Sequence, residues 1–162
     1  SSDLKGLSKP AFIGVKQDTM NAWGDRFVGF EKALEEEGIN IDEELVYFDN
    51  LKVKTGYEAV EKFIGSNKKF DSIVCASDEI AIGAINKLRE KGYNVPEDIS
   101  VIGFNNNHVS SYFYPRITTI SQPSYDMGSV AMRMLIKLLN KKELEQGHYV
   151  LDYQLIQRES TK

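Results

Sequence analysis

Two short polar runs, Ser77-Asp78-Glu79 and Asn105-Asn106-Asn107-His108, each follow an apolar stretch, and together they offer hydroxyl, carboxylate and carboxamide groups. Such groups donate to and accept from a ligand rich in hydroxyls, whereas a diphosphate asks for a glycine-rich turn that neither run provides. The chemistry they fit is the binding of a polyol. Acid–base catalysis through Asp78 or Glu79 is the alternative, and it lacks a nucleophile, a phosphate loop or a histidine placed near either carboxylate. His108 and His148 stand 40 residues apart with no Cys or His partner at metal spacing, so neither a zinc site nor a cofactor is expected. The single cysteine, Cys75, lies in an apolar run; it excludes an internal disulfide, fits a reducing compartment and reads as a small core hydrophobe.

The elements that must position these residues are legible from hydrophobic period. Ile73 to Ala76 is a short apolar strand. Ala81, Ala84, Ile85 and Leu88 then recur at helical spacing from Asp78, with Gly92 as the stop and Arg89 and Lys91 as cations in the last turn. Ile99 to Phe104 closes a βαβ unit, which requires a right-handed crossover and a parallel sheet. In such sheets ligands settle outside the carboxyl ends of the strands, where the strand order reverses, and both polar runs lie at such ends.

The rest of the chain repeats this alternation. Pro10 to Val15 is a first strand, Lys16 to Asn21 a polar loop, and Ala22 to Glu37 a helix with Trp23, Phe27, Phe30 and Leu34 on one face and Gly38 as its end. Leu45 to Phe48 is a second strand. Thr55 and Glu58 form a capping-box pattern for a helix over Lys54 to Ser66. After Asn105 come an aromatic cluster, Tyr112-Phe113-Tyr114, a short strand from Ile117 to Ile120, a helix from Ser124 to Asn140 and a last strand within Tyr149 to Ile156. The pattern predicts an α/β fold, a three-layer sandwich with a mainly parallel central sheet.

Composition agrees with one soluble domain: 162 residues, 41% apolar and 27% charged. No run approaches the roughly 18 apolar residues of a membrane span, and no leader opens the chain. A start at Ser1 rather than Met suggests an artificial boundary or a fragment. The net charge of −4, with no basic stripe, makes this chain by itself a poor grip on a phosphate backbone.

Several segments carry a family resemblance: SDEIAIGA, then NVPEDISVIGF followed by polar residues, then YPRITTISQP, and the closing LIQRES. In this order and spacing they resemble the effector-binding half of the lactose-repressor/galactose-repressor family of bacterial transcription regulators, over essentially the whole chain. The resemblance implies a periplasmic-binding-protein-like second lobe. It assigns residues 1–9 to a boundary or linker, 10–162 to the effector-binding lobe, and 122–146 to a segment returning to a first lobe outside this chain.

It also implies site residues. A sugar-contacting arginine falls at Arg26, ahead of Gly29-Phe30, where a guanidinium fork could clamp vicinal hydroxyls; the alternative is a solvated arginine paired with Asp25. The family's Ala-Asn-Asp-Glu is here Ala76-Ser77-Asp78-Glu79. Asp78 has two readings, sugar contact and helix N-cap. The family's Gly-aromatic-Asp-Asp is here Gly103-Phe104-Asn105-Asn106, which exchanges carboxylates for carboxamides and should change which sugar is read; Phe-Asn-Asn is a hint of a maltose-type effector. Leu51 falls where relatives often carry an aromatic that covers a sugar ring. Asp18, after the first strand, could reach the cleft, and Gln122 lies at the return crossing.

The implied function is sugar sensing by a cytoplasmic, homodimeric repressor that meets operator DNA only through an N-terminal domain outside this chain, with no catalysis and no membrane. A periplasmic sugar-binding protein of the same fold is the alternative. The helix from Ser124 to Asn140 carries more apolar residues than one stripe needs. It is expected either to fold back on its own lobe, over the cleft, or to associate with another copy, with Tyr112 to Tyr114 as a further contact.

Overall fold

The computed structural model describes residues 8–15 and 24–162. Six strands form one sheet in the order β2-β1-β3-β4-β5-β6: β1 is Pro10–Gly14, β2 Val46–Phe48, β3 Ser72–Cys75, β4 Ser100–Phe104, β5 Thr118–Ser121 and β6 Gln154–Ile156. The first five run parallel, with Phe12 opposite Val74, Ile73 opposite Val101 and Ile102 opposite Thr118, and only β6 is antiparallel. The predicted α/β class and mainly parallel sheet are thus the observed ones. The order reverses between β1 and β3, which is where such sheets place ligands.

Four helices connect the strands: α1 Gly24–Glu36, α2 Val53–Gly65, α3 Asp78–Glu90 and α4 Ser124–Leu139. Because β1 to β2 and β2 to β3 cross in opposite directions, right-handed connections put α1 on one face and α2 with α3 on the other. On the α1 face Phe12 meets Phe27 and Phe30 with ring centroids 5.1 and 5.2 Å apart, and Leu34 continues the buried stripe. Trp23, predicted on the same stripe, lies outside the described residues, as does the loop of residues 16–21. On the other face Ala59, Val60, Phe63, Ile80, Ala84, Ile85 and Leu88 are buried, each larger side chain stabilising by about 1.5–3 kcal/mol. The two helices touch backbone to backbone: a Cβ on Gly83 would stand 1.8 Å from the Val53 carbonyl oxygen.

One local expectation is corrected. The capping box at Thr55 does not form, because α2 already starts at Val53; Thr55 is buried and its hydroxyl donates to Asn50 Oδ1 at 3.0 Å, while Glu58 pairs with Lys54. The last strand, expected within Tyr149 to Ile156, is its final three residues. Gln154 is opposite Ser121, so anything earlier would have to pair with Gln122 and Pro123, where the chain turns into α4 and proline has no N–H to give.

The ends of the lobe are tied down by side chains. Ser160 is inserted beside β4 and β5, its hydroxyl donating to the Val101 carbonyl at 2.6 Å and accepting from Thr118 N at 2.8 Å. Near the start, the main-chain N–H groups of Ser8 and Lys9 both donate to Asp71 Oδ2, which ties the lead-in segment to the lobe. By contrast α4 has no buried residue. The expected folding of this helix back over the cleft therefore does not occur.

Candidate functional site at the carboxyl ends of the strands

Arg26 sits in the first turn of α1, so the parallel topology delivers its guanidinium to the carboxyl rim of the sheet. There it donates through Nη1 to the Ala76 carbonyl, just past β3, and through Nη2 to Asn105 Oδ1 at 3.1 Å, just past β4. Its Cζ lies 3.8 Å from the centroid of the Phe104 ring, a cation–π contact. Burial pulls its pKa down to about 10, with Asp78 acting in the opposite direction, so it is still a cation at neutral pH. These inward contacts exclude a solvated arginine paired with Asp25.

Ser77 and Asp78 are used differently from either reading of the sequence. Ser77 is the N-cap of α3, accepting from Ile80 N at 3.2 Å, and it corrects the capping assignment of Asp78. Asp78 is fully buried. Its two carboxylate oxygens accept from Thr119 Oγ1 and from the main-chain N–H of Asn107, each at 2.6 Å. Desolvation pushes its pKa up, and those two hydrogen bonds pull it back. A Cβ on Gly103 would lie 2.3 Å from Asp78 Oδ1, so only glycine at that strand position lets the carboxylate reach the turn.

The turn after β4 is built on positive φ at Asn105 (98°) and Asn106 (52°), a region that asparagine tolerates better than most residues. Asn106 is occupied inside the fold: Oδ1 accepts from Arg158 Nη2 at 2.7 Å, and the amide nitrogen lies 3.4 Å from Ser121 Oγ. Arg158 also donates to Ser110 Oγ and the Ile117 carbonyl, locking the turn to β5.

Of the predicted residues, the fold therefore brings Arg26 and Asn105 into contact, and supports them with Ser77, Asp78 and Asn106. Leu51 follows β2 and is partly buried against the core, and Gln122 follows β5. Four strand spacings separate β2 from β5, roughly 19 Å, so these two flank the rim at opposite ends. Asp18 lies outside the described residues. Phe104, Thr119 and Arg158 had no assigned role; their partners are tens of residues away, and only Phe104, directly before Asn105, carried a local hint. An open hollow of about 420 Å³ lies at the other end of the sheet, lined by Lys9, Pro10, Asn40 and Lys68. Lys68 there is already paired with Asp42 and Glu44.

The fold and sequence of this lobe have counterparts among known proteins. The model of the periplasmic binding protein-like domain matches residues 4–161. The chain belongs to this family. It is 65% identical over 157 residues to the HTH-type transcriptional regulator RegA of Clostridium saccharobutylicum, covering 97% of this chain and 47% of that protein. It is 36% identical to catabolite control protein A of Priestia megaterium, over 97% of this chain and 47% of that protein. Among solved structures, the regulator CcpA of Lactococcus lactis superposes with a TM-score of 0.86 at 38% identity, covering 98% of this chain and 57% of that one. The regulator CelR in complex with cellobiose does so with a TM-score of 0.89 at 31% identity, covering 96% and 47%. The chain thus spans about half the length of the curated relatives it matches. This periplasmic binding protein-like domain corresponds to the C-terminal effector-binding lobe of regulators of the lactose-repressor kind.

Proposed function

We propose that this lobe is the sugar-sensing and dimerising part of a DNA-binding transcriptional repressor, and that the sugar is taken at the carboxyl rim around Arg26. The observation that carries the reading is the guanidinium fixed on Phe104 between the Ala76 carbonyl and Asn105, a rigid fork suited to vicinal hydroxyls. CelR is solved with cellobiose, and a maltose-type effector is likewise built of glucose units, which supports a glucoside as the sugar. Residues 10–162 form one lobe, residues 1–9 lead into it, and 122–146 return to a first lobe. Sugar between the lobes favours one closure over another and so changes the spacing of two DNA-binding heads in a homodimer.

Operator DNA is met through a domain other than this one, since the net charge of −4 gives little hold on phosphates. No bond of the ligand is broken, in keeping with relatives that are regulators. Such a regulator works in the cytoplasm; among the described residues no helix is long and apolar enough to cross a membrane. The test is calorimetric titration of an intact two-lobed protein carrying this chain with cellobiose and maltose. Arg26→Ala should cost about 1.5–3 kcal/mol of binding while the variant still folds and unfolds cooperatively. Equal affinity in the variant would remove Arg26 from the site, and absence of binding by both sugars would overturn the glucoside assignment.

A further inference from the structure

The three successive asparagines after β4 are used unequally. Asn106 spends its carbonyl on Arg158 and its amide nitrogen on Ser121, and the Asn107 amide nitrogen donates to Glu79 Oε1 at 2.7 Å. Asn105 differs. Its main-chain N–H donates to the Ile120 carbonyl at 2.9 Å and its Oδ1 accepts from Arg26, while Nδ2 donates to no group among the described residues.

Which end of this amide faces Arg26 follows from chemistry alone. A guanidinium has donors and no acceptor, so the atom it meets has to be the carbonyl oxygen; a flipped amide would set N–H against N–H. Arg26 is itself held by the Ala76 carbonyl and the Phe104 ring, and the main chain of Asn105 is held at a φ of 98°. The carbonyl is therefore turned to Arg26, and the amide nitrogen faces away from it, open to a ligand.

We propose that Asn105 reads the sugar as a donor, through Nδ2, so that the sugar atom against that nitrogen must offer a lone pair: a ring or glycosidic oxygen, or a hydroxyl turned to accept. The proposal rests on the sugar reading above and adds a direction to one of its hydrogen bonds. An aspartate here would meet Arg26 with one oxygen and turn the other outward as an acceptor, demanding a proton from the sugar. Exchanging one nitrogen for oxygen thus reverses the bond while keeping the shape.

The test uses methyl glucosides in which each hydroxyl is replaced in turn by hydrogen or fluorine, and the ring or glycosidic oxygen by CH2. Fluorine can accept but not donate; hydrogen and CH2 do neither. They are titrated into the intact two-lobed protein and its Asn105→Asp variant. In the parent, removal of one particular oxygen should weaken binding about tenfold, as for a single lost hydrogen bond, and fluorine, where that oxygen is a hydroxyl, should restore most of it. In the variant fluorine should restore nothing, and loss of a ring or glycosidic oxygen at that point should cost nothing further. As a second measurement, the Asn105 side-chain NH2 resonances should shift in the parent on addition of methyl glucoside. One ranking of analogues shared by both proteins, or NH2 resonances that do not move on saturation, would overturn the donor role while leaving the sugar reading intact. Binding of no glucoside by either protein would overturn both.

Discussion

Asp78 shows how one residue can be spent on the scaffold of a site. Burial disfavours its charge, and Thr119 and Asn107, from two different segments, compensate by donating to its two oxygens. The arrangement depends on Gly103, because a methyl group there would meet the carboxylate at 2.3 Å. Gly103→Ala should therefore destabilise the lobe by about 1–3 kcal/mol, the usual cost of overpacking. It should also weaken sugar binding, because the Asn107 end of the asparagine turn would lose its anchor. Urea unfolding of parent and variant measures the first effect; superimposable curves would mean that the backbone yields at that position without cost.

Among the elements, the α2–α3 pair holds a charge network at the edge of its apolar contact. Lys87 is 4% exposed, lies 4.3 Å from the centroid of the Tyr57 ring and is hydrogen-bonded to Glu61, Glu90 and the Tyr57 hydroxyl. Glu61 is held below the ordinary 4.5 first by its hydrogen bond from Lys87 and then by Lys91; Glu90 is held below it by Tyr57 and then Lys87. Carboxylates whose pKa is depressed by folding contribute their stability in full above 4.5, and the contribution is lost as pH falls through the depressed values. Urea midpoints measured from pH 6 downward should thus fall more steeply in the parent than in Glu61→Gln. Parallel acid limbs in the two proteins would show that Glu61 adds nothing to that slope.

At the scale of the whole molecule, the unfinished surface is α4. Met132, Leu135, Ile136 and Leu138 are each about half exposed on a helix with no buried residue, and such a face marks an interaction surface. Tyr112 and Tyr114 are exposed elsewhere, the first stacked on His108 with centroids 5.3 Å apart. With roughly 1.5–3 kcal/mol available for each apolar side chain covered, this 162-residue chain should associate with a second copy at micromolar concentration. Sedimentation of the parent against the double variant Leu135→Glu/Leu138→Glu assigns the contact. A monomeric parent would end the expectation of association, and equal association by a folded double variant would move the contact away from α4.

What the sequence determined by itself is local and periodic. Short apolar runs and apolar spacing at the helical period placed six strands and four helices in order, and the βαβ rule made the sheet parallel with its polar runs at one rim. Asn105 was placed at that rim by its polar run and Arg26 was reached through the family resemblance, since nothing local says that they touch. Tertiary structure alone decided how the polar residues are divided. Ser77 and Asp78 are both plausible caps by type, and what frees Asp78 from capping is a pair of donors 29 and 41 residues downstream. Thr55 and Glu58 match a capping box in spacing, yet α2 starts earlier and Thr55 is drawn inward to Asn50. The three asparagines are identical in sequence terms, and only the arrival of Arg26, Arg158 and Glu79 from distant segments makes each one different. Hydrogen-bond partners are fixed by where strands end in space, which hydrophobic period does not encode.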